Sequence, residues 1–169
     1  MLVKSKKDQS LSLNKINVQQ FEQRKKDKII KYFAYGSNLS KDQMRERVGG
    51  WKRAEKASLQ KWKLIFNVKS STWGGGAANV KKTGNPNDVV WGVIYSMTQE
   101  QLDVLTSKYE KISPQFKKVE CDNQKRFAWV YIFSPNKPSL KPADEYLDTI
   151  KTGLREHGYP EDIIRYVTS

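Results

Sequence analysis

The chain has 169 residues, 37% of them hydrophobic, with five tryptophans and a formal net charge of +13. That length supports one domain around one core, and no apolar run approaches the ~20 residues a membrane-spanning helix needs. A single cysteine, Cys121, excludes an intrachain disulfide and a cysteine-based zinc cluster. The start, Met1-Leu2-Val3-Lys4, lacks the apolar stretch of a secretory signal. The expectation is a soluble, cytoplasmic protein with no membrane partner.

Residues 1–28 hold eight Lys/Arg against three Asp/Glu, so this segment supplies +5 of the +13. It is polar, lacks sustained periodicity, and reads as a basic flexible or partly helical arm, with Val18, Phe21 and Ile29 as anchors. The remaining charge is scattered in pairs such as Lys81-Lys82, Lys117-Lys118 and Lys125-Arg126. A diffuse basic surface of this kind favours solubility and weak anion attraction, so no specific nucleic-acid partner is expected.

The folded domain is predicted over 29–169. It opens with the β-rich run Ile29 to Tyr35, ended by Gly36-Ser37-Asn38. Ser40 and Gln43 make a capping-box pattern for a helix through about Arg47, which Gly49-Gly50 ends. Leu59 to Val68, with Trp62, Leu64 and Phe66 alternating, reads as one strand. Trp73-Gly74-Gly75-Gly76 leads into a short segment, Ala77 to Val80, and a turn at 84–88 precedes a buried strand from Val89 to Tyr95.

Thr98 and Gln101 repeat the capping-box pattern and start a helix carrying Leu102 and Leu105 inward. Phe127 to Phe133 is a strand, paired with Phe116 to Cys121. The last long helix runs from about Pro142 to His157 with Tyr146, Ile150 and Leu154 on one stripe; Gly158 follows its end and Pro160 opens a short final helix. Strands and helices mixed without regular βα alternation make the fold class α+β.

Few catalytic schemes fit these residues. His157, the one histidine, falls in a helix's last turn, where a cation meets the dipole favourably. Without a second histidine or a serine motif it supports neither a catalytic triad nor a metal site. Cys121 reads as a small buried residue. Gly74-Gly75-Gly76 lacks the Lys-Ser/Thr ending of a phosphate loop, and no cofactor signature remains. The turn Tyr35-Gly36-Ser37-Asn38-Leu39 stands apart. A glycine straight after a strand, with a helix following, suits a carboxylate or a developing oxyanion, although an ordinary strand-turn-helix junction has the same form.

Tyr32-Phe33-Ala34-Tyr35-Gly36-Ser37-Asn38-Leu39 resembles the signature of the γ-glutamyl cyclotransferase-like family. Four further blocks, in the family's order, extend the likeness over about residues 30–167. They are Ala57 to Phe66, Gly75-Gly76-Ala77-Ala78-Asn79-Val80, Val90-Trp91-Gly92-Val93-Ile94-Tyr95, and Tyr146 through Gly158-Tyr159-Pro160. The resemblance implies a small mixed, partly closed β-barrel with flanking helices. It implies release of 5-oxoproline and a free amine from a small-molecule γ-glutamyl substrate, without a cofactor. It leaves monomer and homodimer both open.

The family's acid/base glutamate soon follows the Val90–Tyr95 block in a Leu-Asp-x-x-Glu-Gly pattern, with an aromatic residue six positions on. Here the segment is Leu105-Thr106-Ser107-Lys108-Tyr109-Glu110-Lys111, with Phe116 downstream where a tyrosine is common. Glu110 keeps the distance to Phe116 but lies one residue further from Leu105. Thr106 stands for the usual Asp and Lys111 for the usual Gly. Two alignments follow: a one-residue insertion before Glu110, or Tyr109 in the glutamate's place and a binding module without activity. The downstream spacing favours the first. By the same resemblance, Tyr35, Gly36, Ser37 and Asn38, the Gly75-Gly76 loop, Phe116, Tyr131 and Tyr146 border the substrate, and Glu110, buried among aromatics, carries a raised pKa.

Overall fold

The computed structural model describes residues 5–168. The first four residues of the predicted arm, and Ser169, lie outside the described residues. Helix α1, Lys6–Asp27, occupies a stretch free of glycine and proline, with Ser5 Oγ accepting from the Asp8 amide at 3.3 Å. It buries none of its residues. Val18, Phe21 and Ile29 are all exposed, so none of the three anchors the arm as predicted.

Five strands form a closed barrel in the order β1 (Ile29–Ala34), β5 (Val89–Thr98), β2 (Arg53–Gln60), β6 (Gln115–Cys121), β7 (Gln124–Val130). All neighbours are antiparallel except β7 and β1, whose parallel Tyr32–Trp129 pairing closes the ring. The β2–β6 and β7–β1 seams are each held at one residue pair, Ser58–Glu120 and Tyr32–Trp129. β5 pairs on both sides and buries seven of its ten residues, which accounts for its near-continuous apolar sequence. The fold is thus a mixed α+β architecture with a small closed barrel.

The single strand predicted over Leu59 to Val68 is two. Lys61 adopts φ 69° between β2 and β3 (Trp62–Lys69), and the chain leaves the barrel there. β3 then pairs with β4 (Gly76–Lys82) as a separate two-stranded sheet. Lys61 is held from both sides, its amide donating to Asp88 O and its carbonyl accepting from Thr83 N. The change of partner, rather than the alternating pattern, decides the break.

Helices flank this frame. α2 (Lys41–Val48) follows a 3-10 turn at Ser37–Leu39; α3 (Gln99–Val104) carries the full Thr98–Gln101 capping box; α4 is Asp144–Glu156 and α5 Glu161–Thr168. Tyr146, Ile150 and Leu154 form α4's buried stripe, as the periodicity predicts. Gly153 lets α4 meet the 3-10 turn directly: a Cβ there would lie 2.4 Å from the Leu39 carbonyl carbon. Among the described residues no helix is long and apolar enough to cross a membrane.

His157 departs from its predicted role as a helix-end cation. Its Nε2 lies 3.1 Å from Tyr95 Oη and 3.0 Å from Leu39 O, tying α4 to the barrel and to the turn. Burial first, then the nearby Lys41 charge, push its pKa down to about 4, so it is neutral.

Candidate active site

A cleft of about 340 Å³ opens where the 36–39 turn, the β3–β4 sheet and the segment after α3 meet. That volume suits a small molecule. Its walls include Tyr35, Gly36, Ser37, Asn38, Glu110, Tyr131 and Tyr146, so seven of the ten residues predicted for the site come together.

The segment after α3 explains how Glu110 reaches this cleft. Leu105–Glu110 is a π-helix, and the Lys111 amide closes it with an i→i+5 bond of 2.8 Å to Thr106 O. A π-turn holds one residue more than the α-turn it replaces. Leu105 stays buried at its start, and Glu110, one residue further on than in the family pattern, ends it. Lys111, in the place of the usual glycine, takes a left-handed φ of 55° to end the turn. Tyr109 and Glu110 both border the cleft, but differently. Glu110 is half-buried and hydrogen-bonded, whereas the Tyr109 ring is 40% exposed and stacks under the Arg47 guanidinium at 4.4 Å.

Asn38 fixes the carboxyl. Its Oδ1 accepts from Gln43 Nε2 at 2.9 Å and Arg47 Nη1 at 3.0 Å. Arg47 can only donate, which sets the orientation of the amide. Nδ2 therefore faces the other way, donating to Tyr32 Oη at 2.9 Å and Glu110 Oε1 at 3.2 Å. Burial raises the Glu110 pKa above the ordinary carboxyl value; the Arg47 charge and the Asn38 bond oppose the rise in part. A carboxyl so placed can change protonation nearer neutrality than an exposed one.

Tyrosines brace the surrounding wall. Tyr35 Oη donates to Tyr131 O at 2.5 Å, and Tyr131 Oη lies 2.8 Å from Thr106 Oγ1 in the π-turn. Tyr146 Oη accepts from Ala78 N at 2.8 Å and lies against Gly36, where a Cβ would come within 3.0 Å of it. Gly36 thus permits the close approach that seats Tyr146 beside the turn. Burial pushes the Tyr146 hydroxyl up to about 12 and holds Tyr35 and Tyr32 well above the usual phenol range, so all three are neutral donors or acceptors.

Three predicted site residues are not in the cleft. Phe116 lies on the outward face of β6, 57% exposed and stacked on Phe127 at 5.5 Å. The alternation of the hairpin sends Val119 and Cys121 inward and Phe116 out. Gly75 and Gly76 face the segment before α4 instead: the Gly76 amide donates to Lys141 O at 3.0 Å, and Gly75 bridges to Pro142. The Gly76 amide, engaged in this way, is a poor candidate for an oxyanion site.

The sequence reading missed Gln43, Arg47, Tyr32 and the Ser70–Trp73 wall. Gln43 and Arg47 are spaced i, i+4 on α2 and share its face toward the turn, a signal present in the sequence. In place of a reciprocal capping box, the Gln43 side chain goes to Ser37 Oγ at 2.8 Å and Asn38, while Ser40 alone caps α2.

Residues 89–167 match the model of the AIG2-like family. A γ-glutamylcyclotransferase of Bos taurus is 31% identical over 137 residues, covering 76% of this chain and 72% of its own. The Homo sapiens γ-glutamylcyclotransferase matches with the same identity and coverage. A solved structure of a γ-glutamyl cyclotransferase superposes with a TM-score of 0.74 at 28% identity, covering 84% of this chain and 88% of that one.

Proposed function

The chain belongs to the γ-glutamylcyclotransferase family, and from that premise we propose that it converts a γ-glutamyl compound into 5-oxoproline and a free amine, with Glu110 moving the protons. The observation that carries this reading is the half-buried Glu110 carboxyl, held by Asn38 in the same small-molecule-sized cleft as the Tyr35–Asn38 turn.

The substrate's own α-amine is the nucleophile, which removes any need for a serine or cysteine. Its attack on the γ-carbonyl carbon forms the ring C–N bond. Holding the chain curled between Tyr146 and the turn supplies orientation, and intramolecular attack in well-oriented cases is worth roughly 7–11 kcal/mol. Glu110 as carboxylate takes the proton the α-ammonium must lose. As carboxylic acid it gives that proton to the leaving nitrogen when the amide C–N bond breaks. The raised pKa of Glu110 suits both halves of this cycle.

The negative charge that develops on the γ-carbonyl oxygen requires donors already in position. The turn at Gly36 and Ser37, which opens a 3-10 helix at the cleft wall, is the proposed oxyanion site. Asn38 has a different part: both of its amide atoms are engaged, so it orients Glu110 rather than substrate. The test is incubation of the full chain with γ-glutamyl amino acids and γ-glutamylamines, followed by mass-spectrometric detection of 5-oxoproline. Its release from at least one compound supports the reading; none from any compound refutes it.

A further inference from the structure

Four cations border the cleft: Arg47 on α2, Lys69 at the end of β3, and Lys108 and Lys111 at the end of the π-turn. Glu110 is the one carboxylate on its walls. None of the four takes part in an ion pair among the described residues. The charges come from three separate elements, so they are not the solvated face of a single helix or strand.

Their surroundings divide them into two groups. Arg47 is half-buried, donates to Asn38 and lies over the Tyr109 ring, so it is fixed in place near Glu110. Lys69, Lys108 and Lys111 are exposed at the mouth. Lys111 keeps a long charged side chain at a left-handed backbone position that glycine adopts more readily. Beside Lys69 the wall continues through Ser70, Ser71 and Thr72, which add hydroxyls, to Trp73.

The reaction proposed above accounts for little of this charge. The glutamyl half brings one α-carboxylate, which one cation answers, and its α-ammonium is answered by Glu110. The remaining positive charge faces whatever extends toward the mouth. We propose that, granted the cyclotransferase reaction, the cleft selects γ-glutamyl compounds whose amine half is itself acidic, carrying a carboxylate beyond that of a simple amino acid. Lys69, on β3, and Lys108, in the π-turn, read that charge. Such a leaving group is drawn in by the rim and by the field of the +13 chain. A cationic leaving group, such as a diamine, is repelled.

The test compares γ-glutamylglutamate with γ-glutamylglutamine, which share a shape and an α-carboxylate and differ by one side-chain charge. The expected kcat/KM ratio is about tenfold in favour of the acidic compound, carried by KM and collapsing at about 0.5 M salt. The double variant Lys69→Gln/Lys108→Gln brings the ratio close to one. Equal kcat/KM for the two compounds, or a ratio unchanged in the double variant, overturns the charge preference and leaves the reaction standing. If no γ-glutamyl compound yields 5-oxoproline, the reaction fails instead. Calorimetric binding of the same pair then decides the preference: tighter binding of γ-glutamylglutamate supports it, and equal binding refutes it.

Discussion

The Lys111 amide donates to the Thr106 carbonyl across five residues, at 2.8 Å, and this bond sets which side chain enters the cleft. With an α-turn in its place, the helix would run on from Leu105 in the ordinary 3.6-residue register. The π-turn takes up one more residue before the chain turns into β6. Glu110 meets Asn38, and Tyr109 is left partly outside under Arg47.

Arg47 tunes Glu110 as well as orienting Asn38. Its charge lowers a carboxyl pKa that burial raises. Removing the charge with Arg47→Met lets that pKa rise further. A base active as carboxylate is then ionised only at higher pH, so the acidic limb of the kcat profile moves to higher pH. A limb that stays put in the variant would separate Arg47 from the carboxyl's titration.

His157 makes stability depend on pH in the opposite sense to Glu110. Its pKa is about 4 in the folded chain against 6.5 when exposed. The unfolded chain therefore binds the proton first, and the stabilisation present above pH 6.5 is lost as pH falls toward 4. The effect is about 1–2 kcal/mol once screening of this partly exposed ring is allowed for. Glu110, its pKa raised, favours the folded state at low pH, so the clean reading is a difference. Melting curves of the unmutated chain and His157→Gln should converge as pH falls from 7 to 4. A constant gap would contradict a neutral, half-buried imidazole.

Helix α1 is proposed to be dispensable for both folding and chemistry. None of its residues is buried, and the backbone bond from Gln99 N to Lys28 O lies beyond its end. A chain starting at Asp27 should unfold within about 0.5 kcal/mol of the full chain and keep its turnover. A collapse in thermal stability would show that α1 supports the barrel.

The sequence revealed what local chemistry decides. The Thr98–Gln101 capping box, the Tyr146–Ile150–Leu154 stripe and the glycine after β1 each rest on neighbours within a few residues. Features that depend on distant partners were hidden. The break at Lys61 follows from β3 pairing with β4 instead of joining the barrel, and closure rests on a parallel contact between residues 32 and 129. The family resemblance implies Phe116 at the site, yet strand alternation turns it outward. The longer Leu105-to-Glu110 spacing was legible by comparison with the family pattern, with both alignments left open. The π-turn over that spacing was not, because that conformation needs the bond from Lys111 to Thr106 and Tyr131 beside Thr106.

The most direct measurement is 5-oxoproline release by Glu110→Gln beside Tyr109→Phe, with ligand affinity recorded for both. The glutamine keeps the side chain's shape and its bond from Asn38 but cannot carry a proton between nitrogens. Turnover should fall by about 10²–10⁴ in Glu110→Gln, with affinity nearly unchanged, while Tyr109→Phe costs little. A harmless Glu110→Gln together with a damaging Tyr109→Phe would contradict the account, because the π-turn would then be presenting the wrong residue.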